Sequence, residues 1–222
     1  MSKNHLKHIY LVPGMAASTN IFDYLKFPSD TYELHFLPWL LPLSKNESLE
    51  NYAKRMAALI THPEPIILGV SFGGIMAQEI SNHIPTKKVV IISSVKCRKE
   101  LPKRLKLIQK TKIYKLFPSN SLKSIEEFSM LAFGDFAKKR VELYRQYLSV
   151  RDKAYLEWAI YNVLHWKRKS PIKNVLHIHG EADSVFPIKH IKNCHKIPNG
   201  SHVMILYKAK SISKIIRENL NC

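Results

Sequence analysis

Apolar residues fall into two textures along the chain. Up to about residue 95, and again from about 171, short unbroken apolar runs alternate with segments of helical period: IYLV at 9–12, LHFL at 34–37, IILGV at 66–70, VVII at 89–92 and VLHI at 175–178. Continuous rather than alternating hydrophobicity is expected of strands covered on both faces, as in parallel sheets. Between them, residues 48–60 open on Ser48 as an N-cap and carry Leu49, Tyr52, Met56 and Leu59 at helical spacing. Met76, Ile80 and Ile84 then repeat every four residues until Pro85 stops them. Strand and helix in alternation predict an α/β fold: a mostly parallel sheet of about six strands flanked by helices.

The stretch from about 96 to 170 has no such strand runs. Leu101, Leu105 and Ile108 stripe one predicted helix, and Ser124 with Glu127 can form a capping box for a second. Phe136, Tyr144, Tyr147 and Leu148 lie along a third; Asp152 caps a fourth containing Tyr155, Leu156, Trp158, Ala159 and Tyr161. An all-helical block between two strands of a sheet is expected to be a cap over the site. The expected organisation is a core from 1–95 and 171–222 with a helical cap at 96–170.

At 222 residues and 45% hydrophobic content the chain fits a single core of ordinary globular balance. No run approaches the ~18 apolar residues of a membrane span, and the apolar run near the N-terminus is too short for a secretory leader. Cys97, Cys194 and Cys222 show neither paired nor metal-like spacing, the pattern expected of a reduced, cytoplasmic protein. Charge is the departure: 35 Lys and Arg against 17 Asp and Glu give +18. Residues 96–169 hold 19 of the basic residues and 7 of the acidic, a net +12. That concentration reads either as a solvated lysine-rich surface or as a patch for acidic partners.

Three of the seven glycines fall within six residues, in GVSFGG at 69–74. The pattern G-x-S-x-G sits where a buried strand ends and a helix begins, the context of a nucleophile elbow that exposes a serine hydroxyl at the sheet's carboxyl edge. A serine needs a base, and the base an orienting carboxylate. Downstream, HIHGEAD at 177–183 places Asp183 beyond a strand, and NGSHVM at 199–204 places His202 in a loop before the last helical segment. Six of the seven glycines sit at four loops of this candidate site: Gly69, Gly73 and Gly74 at the elbow, Gly180 before the acid, Gly200 before the histidine, and Gly14 in LVPGMAAS; Gly134 alone is left over.

At these residues the chain resembles the α/β-hydrolase superfamily, over roughly 1–95 and 171–222. The resemblance implies Ser71 as nucleophile, His202 as general base and then acid, and Asp183 as the group orienting His202. Glu181, two positions before Asp183, is a second candidate acid by position, and the resemblance favours Asp183. In the family the loop after this first strand often reads His-Gly-x; here it is Pro13-Gly14-Met15, so the backbone N–H groups of Met15 and Phe72 are the implied oxyanion donors. The missing histidine should be tolerated because the donor is backbone.

The expected activity is cleavage of an ester or thioester of a small or acyl-chain substrate through an acyl-enzyme, with no metal or organic cofactor. His177 and His179 share a strand face, but no further ligand is spaced to complete a metal site. Trp39, Phe186 and Val203, with Met130, Leu131, Phe133 and Trp158 of the cap, are candidate pocket residues. The basic cap allows a narrower reading, since small capped members with basic caps include pimeloyl-ACP methyl ester esterases: a carboxylesterase whose substrate arrives on an acidic acyl carrier protein. A non-catalytic hydrolase-fold receptor is the alternative that keeps the fold. Residues 103–117 could form a basic amphipathic helix, but no nucleic-acid module is recognisable, and neither nucleic acid nor stable membrane insertion is expected.

Overall fold

The computed structural model describes residues 6–112, 147 and 152–220. Six strands form one sheet in the order β2-β1-β3-β4-β5-β6: β1 Lys7–Val12, β2 Tyr32–Phe36, β3 Ile66–Val70, β4 Lys88–Ile92, β5 Val175–Gly180 and β6 His195–Ile197. Every pairing is parallel. The continuous apolar runs have their explanation in the layering on either side. Alternate residues of the central strands β1, β3 and β4 feed two cores: Tyr10, Val12, Ile67, Val89 and Ile91 on one face, and Ile9, Leu11, Leu68 and Val90, joined by Ile178 of β5, on the other.

Helices α1 Leu49–Ala57, α2 Phe72–Ile80, α3 Lys103–Thr111 and α4 Lys153–His165 contribute to the first core, and α5 Ala209–Leu220 to the second. Ser48 caps α1, its side chain accepting the Asn51 N–H at 3.1 Å, and Asp152 caps α4 by accepting the Tyr155 N–H at 2.8 Å. A cap of this kind is worth about 1 kcal/mol. Two expectations are corrected in detail. The α1 helix ends at Ala57, so Leu59 falls beyond it and is exposed. Tyr161 projects outward from α4, whereas Tyr155, Leu156, Trp158 and Ala159 are buried. The elements expected around Ser124, Glu127, Phe136, Tyr144 and Leu148 lie outside the described residues. No described helix is long and apolar enough to cross a membrane.

Strand order reverses at β1: its successor β2 pairs on one side and β3 on the other. Crevices of open α/β sheets form at the carboxyl ends of the strands flanking such a reversal. The loop after β1 and the turn after β3 therefore meet at one edge, bringing Met15 and Ser71 to the same end of the sheet.

Candidate active site

Ser71 follows β3 directly and has φ 54° and ψ −119°, a conformation that an L-residue adopts at a cost. The turn is held from three directions. Its N–H donates to the Ile92 carbonyl at 2.9 Å, continuing the β3–β4 ladder; its carbonyl accepts the Ser94 hydroxyl at 2.7 Å and the Gly74 N–H at 2.9 Å. The sharp reversal also drives β3 against the start of α2. A Cβ on Gly69 would stand 2.1 Å from the Gly73 carbonyl oxygen, and one on Gly73 would stand 2.2 Å from that of Pro13. Only glycine fits at either position. Phe72 opens α2, where helix geometry provides its N–H with no intrahelical acceptor.

The serine hydroxyl meets an imidazole. Ser71 Oγ lies 2.8 Å from His202 Nε2, and His202 Nδ1 lies 3.0 Å from Asp183 Oδ2. The second carboxylate oxygen, Oδ1, accepts the Val185 and Phe186 N–H groups at 2.8 and 2.9 Å. The Asp183 side chain is fully buried and that of His202 is 17% exposed. Burial alone would raise the Asp183 carboxyl. The charge and hydrogen bond of His202, with the Phe186 N–H, overcome it and hold the group below its ordinary value. A buried carboxylate that stays ionised fixes the imidazole with Nδ1–H toward it and Nε2 toward the serine. Glu181, the other candidate acid, is exposed.

Three supports of this arrangement carry no motif. His179 Nε2 donates to the Phe186 carbonyl at 2.7 Å and stands 3.5 Å from Asp183 Oδ2. Because a carbonyl only accepts, His179 carries its proton on Nε2, and its Nδ1 accepts from His177 Nε2 at 3.1 Å. Burial lowers both histidines, His177 well below its ordinary value. The pair is thus a neutral, hydrogen-bonded column running along β5 to the acid. Arg104 of α3 donates to the Ser184 carbonyl and, at 2.9 Å, to that of Val185, clamping the loop that carries Asp183. Trp39 Nε1 donates to the Gly14 carbonyl at 2.8 Å, and its ring stacks on Phe72 with centroids 5.1 Å apart.

Trp39 and Phe186, expected at the pocket, are both buried members of the core on this face. Phe186 sets its ring edge-on to His202, at 5.5 Å and 71°. Trp158 likewise packs inward, stacked on Tyr52 at 4.2 Å with its N–H on the Glu47 carbonyl at 2.8 Å. Met15 and Val203 are half-buried beside the site. Met130, Leu131 and Phe133 lie outside the described residues.

No family model matches the chain, and no curated protein matches it in sequence. Solved structures do match it in shape. A thermophilic esterase from Thermogutta terrifontis superposes with a TM-score of 0.68 at 14% identity, over 97% of this chain and 89% of that one. A hydrolase from Pseudomonas aeruginosa gives 0.68 at 16% identity, over 98% and 91%. An alpha/beta hydrolase fold protein from Burkholderia ambifaria gives 0.66 at 14% identity, over 96% and 91%. The likeness is one of architecture carried by nearly the whole length of each chain.

Proposed function

We propose that this chain, which has the α/β-hydrolase fold, is a serine hydrolase that cleaves an ester or thioester of a small or acyl-chain substrate through a covalent acyl-enzyme. The observation that carries the reading is the hydrogen-bonded line from Ser71 Oγ to His202 Nε2 and from His202 Nδ1 to Asp183 Oδ2, at 2.8 and 3.0 Å, starting from a strained elbow. Structural neighbours described as an esterase and a hydrolase agree with it.

In this mechanism Ser71 Oγ attacks the substrate carbonyl while His202 Nε2 takes the hydroxyl proton, and Asp183 stabilises the imidazolium that forms. The Phe72 N–H and the Met15 N–H hold the developing oxyanion; each such donor is worth roughly 10²–10³ in rate. Collapse of the tetrahedral intermediate expels the alcohol or thiol, which receives its proton from His202. Water, deprotonated by the same nitrogen, then attacks the acyl-enzyme and releases the acid and Ser71. Each step uses groups of this chain and water. Residues 96–170 form the cap in this reading.

The test is hydrolysis of p-nitrophenyl esters of graded acyl length, followed by acyl methyl esters and acyl-carrier thioesters, with Ser71→Ala purified identically. Turnover by the wild type and none by Ser71→Ala is expected. Equal rates in both proteins would overturn the reading.

A further inference from the structure

Three histidines that the triad does not use converge at the opposite end of the sheet. His8 belongs to β1, His35 to β2, and His62 to the connection between α1 and β3. In the β1–β2 register His8 pairs with Glu33 and Tyr10 with His35. Alternation along a strand therefore puts His8, Tyr10, Glu33 and His35 on one face. One nitrogen from each histidine can be chosen so that all three lie within 4.8 Å of one another.

We propose that His8, His35 and His62, with the Glu33 carboxylate beside them, form a structural binding site for a divalent transition-metal ion of the zinc class. His8 Nδ1 stands 3.0 Å from His35 Nε2, and Glu33 brings Oε2 to 3.4 Å from His8 Nδ1 and Oε1 to 3.9 Å from His35 Nε2. Two nitrogens bound to one tetrahedral zinc at ~2.0–2.1 Å are about 3.3 Å apart. The His8 and His35 nitrogens are therefore spaced close to what an ion would impose, and a His62 nitrogen lies within 4.8 Å of both. The His62 ring stacks on that of His8, with centroids 3.6 Å apart, which keeps it beside the other two.

The third ring is oriented from behind. Tyr10 Oη accepts the Thr61 N–H at 3.1 Å and lies 2.7 Å from His62 Nδ1. Such outer partners fix the ring plane of metal-binding histidines. Imidazole donors select zinc and its transition-metal neighbours over magnesium or calcium, which prefer oxygen. The His8 and His35 side chains are 22% and 21% exposed, shielded yet open to ion entry.

Position assigns the ion a structural role. Ile9 pairs with Ile66, the first residue of β3, whereas Ser71 follows the last. At ~3.3 Å per residue, His8 is roughly 17 Å or more from the serine. An ion there would tie β1, edge strand β2 and the α1–β3 connection together, and would touch no reacting atom. Periodicity could not reveal it, since the three ligands come from three separate segments.

The experiment is equilibrium dialysis of chelator-stripped protein against Zn²⁺, with melting followed in parallel, for wild type, His62→Ala, His35→Asn and Tyr10→Phe. The wild type should bind one equivalent more than His62→Ala or His35→Asn, and its melting temperature should rise with zinc where theirs do not. Tyr10→Phe should keep the equivalent with about 10- to 100-fold weaker affinity. His62→Ala lies in a connection, and its melt without zinc reports directly that it folds. Equal zinc stoichiometry in wild type and His62→Ala, or a wild-type melt unmoved by saturating zinc, would overturn the site.

Discussion

Gly180 and Gly200 touch so closely that a Cβ on Gly180 would stand 2.1 Å from the Gly200 carbonyl oxygen. One ends β5 ahead of Asp183; the other precedes His202. The Ala182 N–H also donates to the Gly200 carbonyl at 2.9 Å. The acid loop and the histidine loop are therefore placed by direct backbone contact, and the 3.0 Å Asp183–His202 bond depends on that contact. Gly180→Ala should destabilise the fold by about 3 kcal/mol, the upper part of the range for overpacking, because the neighbour is backbone. Urea denaturation checks it; a change below about 0.5 kcal/mol would contradict the contact.

The choice between the two carboxylates is decidable by rate. Asp183→Asn should lower ester turnover by roughly 10⁴, through loss of the imidazole orientation. Glu181→Gln, at an exposed position, should leave it unchanged. Steady-state kinetics on a p-nitrophenyl ester separates the two outcomes.

Trp39 holds the loop that carries Met15, the proposed oxyanion donor, through the bond from its indole N–H to the Gly14 carbonyl. Trp39→Phe keeps an aromatic ring against Phe72 but, among the described residues, leaves that carbonyl the Ala17 N–H alone, at 3.0 Å. It should cost about 1 kcal/mol of stability and slow acylation by roughly 10- to 100-fold through a displaced Met15 N–H. Stopped-flow acylation beside a thermal melt would show whether the rate falls further than the stability explains.

Stability should decline on the acid side of neutrality. Burial holds His177 and His179 neutral in the fold, below their ordinary values, whereas unfolded histidine titrates near ~6.5. As pH drops below about 6.5 the unfolded chain takes up protons that the folded chain refuses, so stability is lost at up to about 1.4 kcal/mol per pH unit for each histidine. The depressed Asp183 carboxyl acts in a lower window: its contribution is full above the ordinary carboxylate range and disappears as pH falls through its folded value. Melting temperatures of wild type and His177→Gln from pH 7.5 to 5.5 should diverge, the variant showing the shallower slope. Parallel slopes would contradict a proton-refusing His177.

Much of this architecture was legible because burial on two sides writes itself into the chain as unbroken apolar runs. All five runs fall on strands, though the edge strand β2 ends at Phe36 and leaves it exposed. The sixth strand, β6, escaped because it is three residues long and exposes His195 and Lys196. The order of Ser71, Asp183 and His202 was readable from glycine-marked loops. Their supports were not: Arg104 reaches the Ser184 carbonyl across 80 residues, and His179 looks like any strand residue until Asp183 folds back over it. Contacts of that kind depend on tertiary approach, which neither period nor motif encodes.

The most direct measurement of the central claim is intact-mass labelling with a small fluorophosphonate, on wild type and Ser71→Ala side by side. A serine hydrogen-bonded to His202 at 2.8 Å should take up one adduct per chain in the wild type, and Ser71→Ala none. A folded wild type that stays unlabelled at saturating probe, or a variant labelled equally, would contradict an activated Ser71.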